Sequence, residues 1–293
     1  MAEYYNNNQN LKAVNVPVEW DLDKVKEFKR CAEDQIYFIK TYCKIVSVDD
    51  GLINFNLWPF QENMVNTFET NRFSICKLLR QCGKTTTVCA YMLHKLLFNK
   101  NYAIAILANK DMQAREILNR VKLMFEHLPN WLQQGVKRWN EGDIELENGS
   151  KALASATGGS AVRGKTFSLL YLDEFAFVPN NIQESFFASV YPTITSGKTT
   201  KVIITSTPNG MNLFYKLWSD SEQGRNTYVR CSVNWRDVPG RDEAFKDEYI
   251  KNTSERQWRQ EFECVAEETM IDVYDTTTNE YMCIPISQLY NTL

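Results

Sequence analysis

The stretch CKLLRQCGKTTT, residues 76–87, is the segment from which the fold of this chain can be predicted. It ends in Gly83-Lys84-Thr85, the second half of a phosphate-binding loop, in which backbone N–H groups and a lysine bind phosphates and a hydroxyl holds Mg²⁺. The complete pattern G-x-x-x-x-G-K-[ST] has a glycine where this chain has Leu78. A strand-like apolar run precedes the loop and a helical pattern follows it, which is the context that such a loop requires.

The composition is that of a folded protein without a strong bias toward one class of partner. The 293 residues, 44% of them hydrophobic, can build one sizeable α/β domain with accessory segments, or two modest domains. The net charge of −3 means that contact with nucleic acid would need a local cluster of Lys and Arg. Eight cysteines without a C-x-x-C pair, and only two histidines, indicate reduced thiols and no multi-histidine metal site. We find neither a membrane span nor a secretion signal, and expect an intracellular protein.

Strand-like and helix-like segments alternate along most of the chain. Strands are predicted over 73–79, 103–109, 167–172, 201–206 and 227–233. Helices are predicted over 58–68, 84–98, 111–128, 181–196, 211–219 and 241–262. An Asn148-Gly149 pair between two short runs predicts a hairpin. The alternation indicates an α/β fold with a mostly parallel sheet that helices cover on both faces.

A second set of residues completes a nucleotide site. The run SLLYLDE, residues 168–174, is an apolar strand that ends in two carboxylates. At the edge of a sheet, Asp173 can hold the Mg²⁺ shell and Glu174 can polarise the attacking water. An acidic loop after a core strand would also explain an isolated Asp-Glu pair. Its combination with Gly83-Lys84-Thr85 in one α/β chain favours the nucleotide site.

Three further features fit this interpretation, each with a simpler alternative. Gln61 in WPFQ is placed like a glutamine that contacts adenine through its amide, although alone it would be an exposed helix residue. TSTPNG, residues 205–210, ends a core strand with hydroxyls suited to sensing a γ-phosphate, or is a strand-to-turn exit. Arg163 in SAVRGK lies in a Gly/Ser-rich loop and could act as an arginine finger, or it could be a surface arginine.

In this order, Gln61, RQCGKTT, SAVRG, YLDEFAFVP and IITSTPNGMNLFY resemble the ATPase domain of the large terminase subunit of tailed bacteriophages. The resemblance runs from about Trp20 to Glu263. In that family the loop lacks its first glycine and carries an Arg-Gln pair. The resemblance therefore implies a RecA/ASCE-type P-loop ATPase, with Arg80 as the arginine of the loop.

The resemblance also implies ATP and Mg²⁺ as cofactors and assigns the residues of the site. The nucleotide would contact Gln61, Arg80, Gln81, Cys82, Gly83, Lys84, Thr85 and Thr86. Thr85 and Asp173 would hold the metal, and Glu174 would be the catalytic base, with Arg80 or Arg163 stabilising the developing charge. Thr205, Ser206 and Thr207 fall on the motif that couples hydrolysis to DNA movement, with serine in place of one threonine.

The implied biology is DNA packaging. Double-stranded DNA, the portal protein and the small terminase subunit would be the partners, with a homo-oligomeric ring assembled on the portal in the host cytoplasm and no membrane involved. Large subunits of this family continue into a nuclease domain with an acidic two-metal cluster. The sequence stops before such a domain would fit, so we expect no nuclease activity from these residues.

The last thirty residues differ in pattern from the rest. They read as two β-rich runs around DTTTNE and a short helical tail. Cys264, followed by Thr269, resembles the start of an intein, in which the thiol would attack the carbonyl carbon of Glu263. The alternative is an ordinary hairpin linker. We therefore predict a flexible tail over 1–19, the ATPase domain over 20–263 and an intein-like segment over 264–293, which would need a C-terminal intein fragment in trans.

Two other functions are compatible with these motifs. A helicase of superfamily two shares the glutamine, the loop and the Asp-Glu strand, but it needs a second RecA-like domain for which this chain has no room. A nucleotide-binding assembly component without turnover is the non-enzymatic alternative. The complete set of Lys84, Thr85, Asp173 and Glu174 argues against it.

Overall fold

The computed structural model of the chain describes residues 3–158, 162, 164–263, 270–275 and 280–285. Its α-helices are α1 (Leu22–Glu33), α2 (Gln35–Tyr42), α3 (Pro59–Thr70), α4 (Lys84–Phe98), α5 (Asp111–Glu126), α6 (Asn180–Ser196), α7 (Leu213–Glu222), α8 (Glu243–Asn252) and α9 (Glu255–Trp258). Its strands are β1 (Lys44–Ser47), β2 (Gly51–Asn54), β3 (Phe73–Lys77), β4 (Ala103–Ala108), β5 (Val136–Trp139), β6 (Asp143–Leu146), β7 (Lys151–Ala156), β8 (Leu169–Asp173), β9 (Lys201–Ser206), β10 (Val229–Ser232), β11 (Met270–Asp275) and β12 (Glu280–Pro285).

The centre of the fold is an 8-stranded sheet with the strand order β10-β3-β9-β8-β4-β7-β6-β5. The pairs from β10 to β7 are parallel, and β7, β6 and β5 pair antiparallel. The predicted α/β class with a mostly parallel sheet is thereby confirmed. Because β3, β9 and β8 are parallel neighbours, their carboxyl ends lie side by side at one edge, which is where ligands bind in open α/β sheets.

Helices cover both faces of the sheet because the central strands are apolar on both faces. Helices α1 to α5 pack over one face, in a core that includes Tyr171 of β8. Helices α6 and α7 pack over the other face, in a core that includes Leu170 and Leu172 of the same strand. The alternation along β8 follows from the two-residue period of a strand, which sends successive side chains to opposite faces.

The helix predicted over 241–262 is interrupted. Helix α8 ends at Asn252, and Thr253 leaves the helical region with φ −133° and ψ −101°. The Ser254 hydroxyl then accepts a hydrogen bond from the Gln257 N–H at 3.1 Å, which starts α9, and a π-helical turn continues to Glu263. Serine competes for backbone groups in this way and favours helix starts over helix interiors.

The amino-terminal residues pack against the domain over the part that the structure describes. Leu11 is buried in the core, and the Lys12 carbonyl accepts a hydrogen bond from the Val136 N–H at 2.9 Å. The Gln133 side chain accepts from the Lys12 N–H and donates to the Asn10 carbonyl, at 3.0 and 2.9 Å. Within the flexible tail predicted over 1–19, residues 10–12 are therefore held against the domain by one buried glutamine and one leucine. The rest of that prediction stays a prediction.

The carboxyl-terminal strands β11 and β12 pair antiparallel, which confirms a β-rich segment there. The residues between them, 276–279, and the predicted helical tail over 286–293 lie outside the described residues. The boundary placed at Cys264 stays a prediction. Of the helices that the structure describes, none has the length and apolar character needed to cross a membrane.

Candidate nucleotide-binding site

The phosphate-binding loop connects β3 to α4 and is anchored at its start. The Leu78 N–H donates to the Ser206 carbonyl of β9 at 3.0 Å, and the Leu78 side chain is 0% exposed. Leucine therefore fills core space at the position where the complete motif has glycine. Farther along, Gln81 and Gly83 adopt the left-handed region, with φ of +54° and +74°. For Gln81 this conformation is unfavourable, because its Cβ crowds the backbone there.

The acidic residues of β8 meet the start of α4. Thr85 Oγ1 donates to Asp173 Oδ2 at 3.3 Å, and Lys84 Nζ lies 2.5 Å from Glu174 Oε1. Glu174 directly follows the last residue of β8, and its φ of +47° ends the strand. The structure thus brings together Lys84, Thr85, Asp173 and Glu174, as the sequence predicts.

Asp173 is held by two hydroxyl groups on the side away from Thr85. Thr205 Oγ1 and the Tyr171 hydroxyl both donate to Asp173 Oδ1, at 2.7 and 2.8 Å. Tyr171 was not among the predicted site residues. The signal for it was its position two residues before Asp173 on a strand, since residues at that spacing point to the same face.

Glu174 is held by Ser206, the last residue of β9, and by Thr207, which follows the strand. Its Oε2 lies 3.4 Å from Ser206 Oγ, 3.3 Å from the Thr207 nitrogen and 3.4 Å from Thr207 Oγ1. The predicted coupling residues Thr205, Ser206 and Thr207 therefore contact the acidic pair directly. Thr205 contacts Asp173, whereas Ser206 and Thr207 contact Glu174.

The electrostatics of the site favour a bound cation. Burial, and then the charge of Glu174, raise the pKa of the Asp173 carboxyl above its ordinary value of 3.8, while Lys84 and the hydrogen bonds from Thr205 and Tyr171 lower it. A hydroxyl and a carboxylate are oxygen donors of the kind that Mg²⁺ prefers. The described residues contain no cluster of three or more His, Cys, Asp or Glu side chains.

Gln61 has a different environment from the predicted contact with adenine. Its side chain is 2% exposed, its Oε1 accepts from the Trp58 N–H at 3.0 Å, and its Nε2 donates to the Cys82 carbonyl at 3.1 Å. Both polar atoms therefore have protein partners. The residue lies behind the loop and joins it to the start of α3, and this geometry does not support a contact with the base.

The remaining predicted loop residues differ in the exposure and the partners of their side chains. Arg80 is exposed and forms an ion pair with Glu261, with Nε and Oε2 2.7 Å apart. Cys82 is buried, and its thiol donates to the Leu79 carbonyl at 3.1 Å, so only its backbone can face a ligand. Thr86 is half-buried in the first turn of α4.

The predictions for Arg163, Cys264 and Thr269 fall outside the described residues. Glu263, on the other side of the predicted splice junction, is described. Its Oε1 accepts from Trp258 Nε1 at 2.8 Å and from Lys246 Nζ at 3.2 Å.

A cavity of about 330 Å³ opens beside the acidic pair. It is bordered by Thr85, Asp173 and Glu174 on one side and by α5 residues, including Arg120, on the other. Arg120 was not predicted as a site residue, because a helix arginine carries no motif. It is a described cation that lines the same cavity as the acidic pair.

Comparisons with known proteins point to one family. The family model described as "Terminase large subunit, T4likevirus-type, N-terminal" matches residues 78–278, a range that begins in the phosphate loop and passes the boundary placed at Cys264. The structure is also similar to the ATPase domain of the large terminase of Thermus phage P74-26. That match has a TM-score of 0.60 at 19% identity and covers 72% of this chain and 94% of that one.

Two longer large terminases match as well. The HK97 bacteriophage protein gives a TM-score of 0.65 at 18% identity, covering 80% of this chain and 54% of that chain. The large terminase of a thermophilic bacteriophage, solved with ATP-gamma-S, gives 0.55 at 14% identity, covering 75% of this chain and 55% of that chain. This chain thus spans little more than half the length of these two proteins. At such identities the structures establish the fold, and the family match, which covers more than half of the sequence, establishes that the chain belongs to the T4likevirus-type terminase large subunit family.

Proposed function

We propose that this chain is the ATP-hydrolysing motor domain of a phage large terminase, which powers the packaging of double-stranded DNA into the procapsid. One observation carries the proposal: the phosphate loop and the acidic end of β8 contact each other through two pairs. Lys84 Nζ lies 2.5 Å from Glu174 Oε1, and Thr85 Oγ1 lies 3.3 Å from Asp173 Oδ2. The nucleotide in a related large terminase, which was solved with ATP-gamma-S, supports ATP as the ligand.

The loop and the acidic pair have distinct tasks in this proposal. The N–H groups at the start of α4 and the Lys84 ammonium bind the β- and γ-phosphates of ATP. Thr85 and Asp173 would hold Mg²⁺, which when bound neutralises charge that develops on the phosphate oxygens. Glu174 orients and polarises the attacking water. The catalysis is positioning and electrostatic stabilisation, without a covalent intermediate.

The ion pair between Lys84 and Glu174 suggests how the base is released. Phosphate oxygens carry more negative charge than one carboxylate, so bound ATP would compete for the lysine. Glu174 then keeps its place through its other oxygen, which Ser206 and Thr207 approach within 3.4 Å. The oxygen that loses the lysine becomes free to accept a hydrogen bond from water.

The charge on the transferred phosphoryl group requires a cation as well. Arg80 or Arg163 would supply it. In the described arrangement Arg80 is paired with Glu261 at 2.7 Å, so Arg80 would have to leave that partner to act. Thr205, Ser206 and Thr207 contact both carboxylates and would relay hydrolysis to the DNA-moving parts.

The wider assignments follow from family membership and stay proposals. They are a ring of copies on the portal protein, the small terminase subunit as a partner, and double-stranded DNA as the substrate that is moved. The intein-like interpretation of residues 264–293, and with it a C-terminal intein fragment as partner, also stays a proposal.

Phosphate release from ATP tests the proposed reaction. We expect Glu174→Gln to lower the steady-state rate by about 100-fold or more, the lower end for loss of a general base, while ATP still binds. Glu33→Gln is the matched control, because Glu33 is an exposed carboxylate at the end of α1 whose contact is the Lys29 ammonium at 3.8 Å. Normal turnover by Glu174→Gln would refute the role of this residue. Absence of hydrolysis by the wild-type chain, with ATP bound, would favour an assembly component instead.

A further inference from the structure

Side chains hold the backbone carbonyl groups of residues 79–83 in the phosphate loop. Every carbonyl oxygen from residue 79 to residue 83 accepts a hydrogen bond from a side chain at 3.0 or 3.1 Å. The donors in chain order are Cys82 Sγ, Arg241 Nη2, Arg241 Nη2 again, Gln61 Nε2 and Thr87 Oγ1.

Because the trans peptide bond is planar, the direction of these carbonyl groups also determines the direction of the neighbouring N–H groups. In each peptide unit, the C=O of one residue and the N–H of the next point in opposite directions. The chain has no cis peptide bond among its described residues. Because the carbonyls of residues 79–83 point toward these side-chain donors, the N–H groups of residues 80–84 point away from the donors. Successive N–H groups that are not used within the protein in this way can bind an anion.

Arg241 controls the most strained residue of the loop. Its Nη2 donates both to the Arg80 carbonyl at 3.1 Å and to the Gln81 carbonyl at 3.0 Å. These two carbonyls belong to the peptide planes on either side of Gln81, and the angle between those planes is set by the φ and ψ of Gln81. One nitrogen that bonds both carbonyls makes them converge, and so holds Gln81 at its φ of +54°.

The surroundings of Arg241 show that it is not an ordinary surface arginine. Its Nη1 is buried and has no hydrogen-bond partner among the described residues. Its guanidinium carbon lies 5.0 Å from the centre of the Phe262 ring and 5.7 Å from that of Phe245. Burial lowers the pKa of this guanidinium from its ordinary value. Arg241 as a whole is half-buried and has no carboxylate partner among the described residues. Burying part of a cation without such a partner is unfavourable for stability. Departures of this kind concentrate at functional sites.

We propose that Arg241 is a positioning residue of the nucleotide site, which holds the glycine-poor phosphate loop in its anion-binding conformation from the segment preceding α8. The complete motif would have glycine at position 78, and this loop instead has a bulky core residue there and a left-handed glutamine at 81. The guanidinium supplies the restraint that the loop sequence itself does not. This inference rests on the proposed binding of ATP at the loop.

A double-mutant cycle in nucleotide affinity tests the proposal. The dissociation constant of a fluorescent ATP analogue with Mg²⁺ is measured for the wild type, R241A, Q81G and R241A/Q81G. We expect R241A to weaken binding about tenfold in the wild-type background, the factor that matches the cost of an unsupported left-handed residue. In the Q81G background the same substitution should weaken binding by about twofold or less, because glycine adopts positive φ readily.

The matched control is Arg236, which precedes Arg241 by five residues and also lies over an aromatic ring. It is exposed and pairs with Glu243 at 2.6 Å, with its guanidinium carbon 4.2 Å from the centre of the Trp235 ring. R236A removes the same charge and should leave nucleotide affinity unchanged. Thermal unfolding of each variant shows whether it is folded at the assay temperature, and R241K with and without Q81G replaces R241A if it is not.

The outcomes separate this proposal from the proposed function. If the wild type binds no nucleotide, the proposed function fails. If the wild type binds and R241A binds equally well, the motor assignment stands and the role of Arg241 is wrong. An equal loss on R241A in both backgrounds would also overturn it, because a general structural defect would not depend on residue 81.

Discussion

Replacement of Tyr171 by Phe probes how the buried carboxylate of the site is held. The Tyr171 hydroxyl donates to Asp173 Oδ1 at 2.8 Å, and the side chain is completely buried in β8. Phe keeps the ring and removes only the hydroxyl, which also lies 3.0 Å from Thr205 Oγ1. Thr205 Oγ1 still donates to the same oxygen at 2.7 Å, so Asp173 loses one of two hydroxyl partners there.

The magnitude follows from the charge on the acceptor. A hydrogen bond to a charged group contributes about 1.5–3 kcal/mol to stability. Because Thr205 remains, we expect the lower end, a loss of about 1.5 kcal/mol in the free energy of unfolding. If Tyr171 also fixes Asp173 for the metal, the Mg²⁺ concentration that half-saturates hydrolysis should rise by about tenfold, the factor equivalent to that energy.

Tyr91 provides the matched control. It is another completely buried tyrosine, and its hydroxyl lies 3.1 Å from both possible acceptors, the Phe68 carbonyl oxygen and Glu69 Oε2, away from the nucleotide site. Urea unfolding and Mg²⁺ titrations of phosphate release are compared for Y171F, Y91F and the wild type. Y91F should lose stability without a change in Mg²⁺ dependence. Equal Mg²⁺ dependence of all three proteins would refute the positioning role of Tyr171.

Two further predictions concern stability away from the site. His94 is 1% exposed and lies 2.9 Å from the Cys31 carbonyl through Nε2, and burial lowers its pKa from 6.5 to about 4. The folded state therefore keeps the full stability due to neutral His94 above pH 6.5 and loses about 3 kcal/mol as the pH falls from 6.5 toward 4, because the unfolded chain binds a proton that folded His94 does not. In urea unfolding H94F should lack this loss of stability, and the same loss between pH 7 and 4.5 in H94F and the wild type would contradict the assignment. Lys201 Nζ donates to three carbonyls at the end of α3, at 2.8, 2.8 and 2.9 Å. We expect Lys201→Met to lower the free energy of unfolding by about 2 kcal/mol in the same assay, and a change below about 0.5 kcal/mol would show that water replaces the ammonium.

Much of the candidate site could be predicted from the sequence because its demands are local. A lysine and a hydroxyl at the start of a helix, and two carboxylates at the end of an apolar strand, are short patterns with one chemical purpose. Parallel strands then bring the two patterns to the same edge. The contacts of Lys84 with Glu174 and of Thr85 with Asp173 are what those patterns predict.

Other features could not be predicted because their partners are distant in the chain. Gln61 has both amide atoms engaged by Trp58 and Cys82, and an isolated glutamine gives no sign of that. The break between α8 and α9 depends on Ser254, whose hydroxyl caps the start of α9. The helical pattern of the sequence continues through this residue and does not show the break. The packing of Leu11 into the core likewise depends on Gln133, whose side-chain amide donates a hydrogen bond to the Asn10 carbonyl.

By itself, the sequence determined the alternation of strands and helices, the identity of the loop and the acidic pair, and the family to which they belong. Periodicity and short motifs involve residues that are close together in the chain, and so they can be recognised from the sequence. The conformation of the loop was decided by the tertiary structure, since its left-handed Gln81 is held by an arginine 160 residues away. A hydrogen bond depends on distance in space, and only the folded chain brings Arg241 to the carbonyls of CKLLRQCGKTTT.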